Sequence, residues 1–200
     1  MEFKVINIDV YGLDKAIKAS GNPMRTKLDR SEVSEKDILR AHKLGATKNG
    51  LGHDNFLKGI IVQMDVIAPL YWWKQAQRYH WFDFVSSQST MHCLLKFDIE
   101  EQCVEETSKE VIDIIKKMVD EYQALDNDNP RKLELWRTIV ASLPCGFCLG
   151  ATMTTNYQQL KTMYIQRKYH KLKEWKEFCR VLETLPDFIL LTGVDKIHEN

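Results

Sequence analysis

The segment that most constrains the fold is a strand that passes into a helix with almost no loop between them. Leu57 to Ile67 alternates apolar and polar residues, which is the two-residue period of a half-exposed strand. Pro69 ends this run, and Leu70 to Arg78 has the pattern of a short helix. The segment therefore predicts one strand and one helix that follow each other directly.

The remaining pattern predicts an α+β fold in a single domain that spans residues 1–200. Met1 to Val10 and Phe147 to Thr155 also alternate, and they predict two further strands. Three- and four-residue apolar steps and capping residues predict the helices. Their expected spans are residues 34–45, 101–125, 130–144, 156–167 and about 170–184. We therefore expect an antiparallel sheet with helices packed against it.

Caps and apolar faces can be assigned to several of these helices. Ser34 is expected to cap the first helix and Asn156 the helix that ends at Arg167. The expected buried face of the helix over 101–125 consists of Val104, Val111, Ile115, Met118 and Tyr122. The expected face of the helix after Pro130 consists of Leu133, Trp136 and Val140.

The charge balance narrows the classes of partner. The chain has 28 Lys and Arg residues and 28 Asp and Glu residues, so its net charge is zero. This argues against binding of nucleic acid or an anionic membrane through overall positive charge. No apolar run approaches the roughly 18 residues of a membrane span, and the first ten residues lack a signal-peptide layout. The expected location is the cytoplasm, with neither nucleic acid nor membrane as a partner.

Five cysteines are present, and an odd number in such a chain does not indicate a disulfide framework. Cys145 and Cys148 form a C-x-x-C, which occurs in redox pairs and as half of a zinc site. No second ligand pair follows at matching spacing, and Pro144 lies where a redox motif has a strand. We therefore expect a structural role for these cysteines and no metal site.

Polar and aromatic side chains are concentrated between Leu70 and His92. Gln75 and Arg78 are three residues apart and are expected to share one helix face. Ser87 and Ser89 follow in an expected turn, with their hydroxyl and backbone N–H groups. Arginine binds phosphate, aromatic rings stack, and glutamine and serine bond to ring edges. The cluster predicts binding of an anion that carries a flat ring.

This segment resembles the signature region of the flavin-dependent thymidylate synthases. That signature is Ala-Pro, a short helix with Arg-Gln, then Arg-His-Arg and a serine loop. The corresponding residues here are Ala68-Pro69, Lys74-Gln75, Arg78-Tyr79-His80, and Ser87 with Ser89 on either side of the expected serine. The similarity continues in Gly52-His53, Leu143-Pro144, Asn156-Tyr157-Gln158-Gln159-Leu160 and Arg167, and it covers roughly residues 35 to 185.

The resemblance implies an enzyme that methylates dUMP to dTMP with methylenetetrahydrofolate and NADPH. It implies FAD as the cofactor and a homotetramer whose sites are shared between subunits. Arg167 is the expected catalytic residue, which faces the pyrimidine ring and favours ionisation at N3. The implied substrate-binding residues are Gln75, Arg78, Ser87, Ser89 and Arg137. The implied cofactor-binding residues are His53, Asn55, Arg78, Tyr79, His80, Asn156 and Gln158.

The chain departs from the family pattern at three arginine positions, which hold His80, Met91 and Gln158. A fourth arginine position aligns with Val140, although Arg137 lies about one helical turn earlier. A charged contact from arginine to phosphate is worth roughly 1.5–3 kcal/mol. The loss of two without replacement would therefore weaken nucleotide binding by about two orders of magnitude or more. Lys74, Arg137 and Lys161 are candidates to replace them.

Two other interpretations remain open at this stage. The chain could be an FAD- or nucleotide-binding homologue with an altered substrate or no turnover, as the lost arginines favour. It could instead be a small interaction protein whose aromatic segment packs against a helix of a partner. The aromatic residues in question are Tyr71, Trp72, Trp73, Trp81, Phe82 and Phe84.

Overall fold

The computed structural model describes residues 1–28 and 32–195 and confirms the α+β prediction. Its strands are β1 (Lys4–Tyr11), β2 (Ile61–Pro69), β3 (Asp83–Ser87) and β4 (Cys148–Asn156). They form an antiparallel sheet in the order β1-β2-β4-β3.

The described residues also form ten α-helices and three short 3-10 helices. The α-helices are α1 (Leu13–Ala19), α2 (Glu35–Gly45), α3 (Leu70–Ala76), α4 (Thr90–Cys93), α5 (Ile99–Gln102), α6 (Lys109–Ala124), α7 (Arg131–Ser142), α8 (Tyr157–Arg167), α9 (Lys173–Glu183) and α10 (Phe188–Thr192). The 3-10 helices are Asn22–Met24, Asn55–Gly59 and Leu94–Lys96. Within the ranges described, no helix is both long and apolar enough to cross a bilayer.

The chain divides into two compact units. The first unit consists of Met1–Lys4, Val66–Arg78 and Ser86–Ala151. The second unit consists of Val5–Asp65, Tyr79–Val85 and the chain from Thr152 onward. The expectation of a single domain over residues 1–200 stays a prediction.

The first unit contains the junction of strand and helix that the sequence predicted. β2 ends at Pro69 and α3 begins at Leu70. The first N–H groups of a helix lack intrahelical acceptors. Leu70 donates its N–H to the carbonyl of Phe147 at 3.0 Å, and Tyr71 donates to that of Cys145 at 3.2 Å. The segment before β4 therefore completes the start of α3, which has no side-chain cap.

The long helix predicted over 101–125 begins later than expected. The short helix α5 ends at Gln102, and α6 begins only at Lys109. Between the two helices, Cys103 forms an antiparallel β-bridge with Phe147. Val104 donates its N–H to the carbonyl of Gly146 at 3.0 Å, so it is not a helical residue as predicted. Pairing with a segment more than forty residues away along the chain replaces the local helical bonds.

The predicted faces of α6 and α7 were partly wrong. In α6 the buried residues are Ile112, Ile115 and Val119, whereas Val111 is exposed. In α7 the buried residues are Leu135 and Ile139, and Leu133 is exposed. Both helices carry apolar residues on adjacent faces, so the mutual packing of α6 and α7 decides which face is covered. These residues, with Leu94, Ile99, Cys103 and Phe147, form the core of the first unit.

The second unit confirms both predicted helix caps. The Ser34 hydroxyl accepts a bond from the Asp37 N–H at 3.3 Å, and the Asp37 carboxylate accepts the Ser34 N–H at 3.1 Å, which forms a capping box at α2. Asn156 Oδ1 accepts the N–H of Gln159 at 2.9 Å and caps α8.

Several elements were not predicted from the sequence. These are α1, β3, α10 and the short helix α4. β3 ends at Ser87, where a serine-rich turn was expected, and Ser89 precedes α4. The final long helix, α9, begins at Lys173 instead of near His170.

Candidate binding cavity and arginine cluster

The second unit contains a polar cavity of about 380 Å³. It is lined by Asn49, Gly50, Gly52, Asp54, Asn55, Lys58, Trp81, Gln158, Gln159 and Thr162. Its walls come from the loop between α2 and β2, the start of α8 and one residue before β3. Gly50 and Gly52 have φ of 90° and 79°, a left-handed conformation that glycine adopts without the strain of a side chain.

Lys161 of α8 fixes the loop that forms one wall of this cavity. Its side chain is fully buried, and its Nζ donates to the carbonyls of Gly45 at 2.8 Å and Thr47 at 2.6 Å. The third contact is an ion pair with Asp54 Oδ2 at 3.1 Å. An ammonium group has three protons to donate, so all of its donors have acceptors here. Lys161 is therefore a structural residue, and the prediction that it replaces a phosphate-binding arginine is wrong in this structure.

Asp54 joins this buried ion pair to the cavity wall. Its Oδ1 accepts a hydrogen bond from the Gln158 amide at 3.0 Å, while its Oδ2 is held by Lys161. The same Gln158 amide lies 3.4 Å from the Asn55 side-chain oxygen. The carboxylate is thus compensated, and the amides of Asn55 and Gln158 are held side by side at the cavity surface.

Trp81 presents an exposed indole to the cavity. Its side chain is 55% exposed, although tryptophan usually buries much of its ring. The Trp81 N–H donates to Gln159 Oε1 at 3.4 Å, and its carbonyl accepts the Thr155 hydroxyl at 2.6 Å. The backbone is therefore held on both sides while the ring remains open to solvent.

A second feature of the same unit surrounds Arg167, the last residue of α8. Arg167 Nε donates to the Tyr79 hydroxyl at 2.7 Å, and that hydroxyl donates to Gln166 Oε1 at 3.0 Å. The Arg167 guanidinium carbon lies 4.7 Å from the centre of the Trp175 ring and 5.5 Å from that of Tyr79. Aromatic faces attract a cation and screen it from water, so these two rings orient the arginine.

His170 adjoins this arginine cluster. Its ring lies 6.4 Å from that of Trp175, and its Nδ1 accepts the Leu172 N–H at 3.1 Å. Partial burial, followed by the positive charge of Arg167, lowers the pKa of His170 below its usual value. The imidazole is therefore neutral at pH 7, and Arg167 is the cation of this cluster.

Solved structures share this fold over nearly the whole chain. ThyX from Helicobacter pylori, crystallised with FAD and dUMP, matches with a TM-score of 0.73 at 16% identity, over 98% of this chain and 100% of its own. A second structure of that flavin-dependent thymidylate synthase with FAD and dUMP has a TM-score of 0.69 at 16% identity, over 98% and 99% of the two chains. The chain has the fold of the flavin-dependent thymidylate synthases.

The same fold occurs in the UMP/dUMP methylase PolB from Streptomyces cacaoi, solved with bound 5-Br dUMP. That structure matches with a TM-score of 0.64 at 13% identity, over 98% of this chain and 95% of its own. No protein-family model matches the sequence. No curated protein matches it either. The relationship is therefore one of fold.

The structure brings together only part of the predicted cofactor set. Asn55 and Gln158 line the cavity and contact each other. His53 is exposed in the same loop but does not line the cavity. His80 is exposed and packs edge-on against the Trp81 ring, with 4.9 Å between ring centres. Tyr79 belongs to the arginine cluster instead.

Asn156 has a structural role that the sequence also predicted. Its side-chain oxygen caps α8, and the residue is only 9% exposed. This cap begins the helix that carries both Gln158 and Arg167. Asn156 therefore positions cofactor and substrate candidates, whether or not its own amide contacts a ligand.

The predicted substrate-binding residues other than Arg167 lie in the first unit. Gln75 is in the last turn of α3, whereas Arg78 is exposed in the turn that follows the helix, so the prediction that they share one helical face was wrong. Ser87 ends β3 and Ser89 precedes α4. Arg137 is exposed on α7.

Sequence reasoning missed most of the cavity wall. Asn49, Lys58, Gln159 and Thr162 were not predicted as site residues, and Trp81 was considered only as core or interface. The signal that was available is the glycine- and asparagine-rich loop over 46–55, because such loops let the backbone approach a ligand closely.

Proposed function

We propose that this protein is a flavin-dependent enzyme that methylates a pyrimidine deoxynucleotide, with dUMP as the substrate and dTMP as the product. The observation that carries the proposal is the contact between Asn55 and Gln158, which are 103 positions apart and line one cavity. The resemblance in sequence implies that both residues bind FAD. Structures of this fold with bound FAD and dUMP support the same assignment.

The cavity suits part of an FAD molecule. Its volume lies near the lower end of the roughly 300–1,000 Å³ of ligand pockets, which is enough for one ring system and its adjoining chain. The amides of Asn55 and Gln158 offer donors and acceptors to a ring edge, and Lys58 offers a cation to a phosphate. Asp54 is compensated by Lys161, so its carboxylate does not oppose an anionic ligand. When bound, FAD supplies the hydride that it receives from NADPH.

Arg167 is the residue proposed to act on the pyrimidine. Its guanidinium is held by the Tyr79 hydroxyl and by the faces of Tyr79 and Trp175, with partial exclusion of water. A cation next to N3 favours loss of the N3 proton, since it stabilises the anion that forms. The negative charge increases electron density at C5, the carbon that accepts the methylene group.

As the resemblance implies, we propose that Arg78, Ser87, Ser89 and Arg137 donate to the nucleotide phosphate and that Gln75 contacts the nucleotide. Methylenetetrahydrofolate would supply the one-carbon unit, which bonds to C5 as its bonds to the folate nitrogens break. The C5 hydrogen would leave as a proton, the two electrons from NADPH would reduce the carbon to a methyl group, and tetrahydrofolate would be released. We also propose a homotetramer in the cytoplasm, with each site shared between subunits as the resemblance implies.

A second candidate function follows from the missing arginines. The Gln158 amide is engaged with Asp54 and Asn55, and it lacks the fixed charge of the arginine that the family has there. This favours a homologue that binds FAD or a nucleotide but accepts a different pyrimidine substrate or does not turn over. PolB, a UMP/dUMP methylase, is a precedent for a second substrate on this fold.

The test is a turnover assay with the purified full-length chain and added FAD. Labelled dUMP, methylenetetrahydrofolate and NADPH are expected to give dTMP, and Arg167→Lys is expected to reduce product formation at least tenfold. Arg131→Lys is the matched control, because Arg131 is an exposed ion-pair partner of Glu121 in the first unit. UMP is tested in parallel. No product from either nucleotide while FAD is bound would favour the second candidate.

A further inference from the structure

Trp81 is the one aromatic residue among those that line the cavity in the described chain. Its ring is 55% exposed, whereas Trp72, Trp73 and Trp175 are buried. An exposed indole leaves a large apolar face in water, and a ligand that covers this face gains the free energy of burial and stacking.

The backbone of Trp81 is held before any ligand binds. Gln159 and Thr155 hold the Trp81 N–H and carbonyl. The His80 ring meets the indole edge-on at 75°, which restricts it from one side. Contacts that restrict a side chain before binding reduce the conformational entropy that it loses on binding.

The rest of the cavity defines the ligand that would cover this ring. Four side-chain amides, from Asn49, Asn55, Gln158 and Gln159, can bond to the edge of a heteroaromatic ring. Lys58 contributes a positive charge at the same cavity. The complementary ligand is a flat heteroaromatic ring with polar edges that is joined to an anionic group.

The geometry points to Trp81 as the stacking residue for the planar ring of the flavin nucleotide. This inference rests on the proposed function, since it names the residue that holds the proposed cofactor. FAD contains two such rings, isoalloxazine and adenine, and both present a flat face and polar edges. Stacking of a base on an aromatic side chain tolerates either ring.

The test compares the wild type, Trp81→Ala and Trp81→Phe in titrations with FAD, FMN and ADP. Trp81→Ala is expected to raise the Kd for FAD roughly 5- to 150-fold, and Trp81→Phe by only a few-fold. A loss of affinity for FMN assigns the isoalloxazine ring to Trp81, and a loss for ADP alone assigns adenine. Tyr169→Ala is the control, because Tyr169 is an exposed aromatic residue of the same unit that does not line the cavity.

A second readout separates direct stacking from an indirect effect. An indole in contact with isoalloxazine quenches its fluorescence, so flavin bound to Trp81→Ala should be brighter than flavin bound to the wild type if that ring is stacked. If the wild type binds FAD and Trp81→Ala binds it with the same affinity, this inference is overturned and the proposed function still stands. Failure of the wild type to bind any of the three ligands would overturn both.

Discussion

The buried ion pair of Lys161 and Asp54 gives the sharpest prediction about the cavity. Replacing Lys161 with methionine keeps a long side chain but removes the ammonium. Asp54, which is 1% exposed, would then be a buried carboxylate with one hydrogen bond from Gln158. The carbonyls of Gly45 and Thr47 would also lose their donor.

The expected loss can be derived from this geometry. Removal of one partner from a buried ion pair costs about 3–5 kcal/mol, because the remaining charge is uncompensated. For a chain of this size each kcal/mol lowers Tm by roughly 2–4 °C, so Lys161→Met should lower it by roughly 6–20 °C. The double variant Lys161→Met with Asp54→Asn should recover part of this loss, because no charge remains buried.

The assay is equilibrium denaturation in urea, followed by thermal unfolding and by FAD titration below the transition. Lys109→Met is the matched control, since the Lys109 side chain is 69% exposed in its pairs with Glu100 and Asp113. An exposed pair contributes little. The reasoning is refuted if Lys161→Met is no less stable than Lys109→Met, or if the double variant is less stable than Lys161→Met alone.

Two further predictions concern the arginine cluster and the cap of α2. Tyr79→Phe keeps the ring beside Arg167 but removes the hydroxyl oxygen that accepts the hydrogen bond from Arg167 Nε. The affinity for dUMP, measured by calorimetry, should therefore fall roughly tenfold with little change in Tm. An unchanged affinity for dUMP would show that Tyr79 does not position Arg167. Bonds from the Ser34 hydroxyl, and then from Arg40, hold the pKa of Asp37 well below its usual value. Asp37 therefore stabilises the fold above its unfolded pKa of about 3.9, and this contribution is lost as the pH falls toward the lower folded value. Urea titrations between pH 7 and pH 3 should show a smaller pH dependence in Asp37→Asn, and equal dependence in both proteins would contradict this assignment.

Local sequence signals predicted the elements whose bonds are local. The two residues of the capping box, Ser34 and Asp37, are three positions apart, and so are Gln159 and Asn156, where the Gln159 N–H donates to the Asn156 side chain. Both were visible as short motifs. The alternation that ends at Pro69 likewise gave the correct junction of β2 and α3.

Elements that depend on contacts with residues far away in the sequence could not be predicted from local patterns. Cys103 pairs with Phe147, and this interrupts a helix that the local pattern favours. In α6, Val111 and Ile112 are adjacent and equally apolar, so periodicity alone cannot select the face that packs against α7.

In the candidate site, too, some residues could be predicted from the order of motifs in the sequence, whereas the surroundings of others depend on the fold. The order of the motifs predicts Asn55 and Gln158 as cofactor-binding residues, and this role stays a prediction. The structure places the two side chains together. Lys161, by contrast, resembles a surface lysine of a helix in sequence, and only the fold brings it to Asp54, 107 positions away. Trp81 could not be distinguished from a core aromatic, because its backbone is held by Gln159 and Thr155, which are 78 and 74 positions away in the sequence.

The most direct measurement of the central claim is the visible absorption spectrum of the purified protein, recorded before and after incubation with FAD and desalting. We predict a retained flavin spectrum with about one FAD per chain, and its loss in a Gln158→Ala and Asn55→Ala double variant that still folds. A protein that is colourless and retains no added FAD would contradict the account.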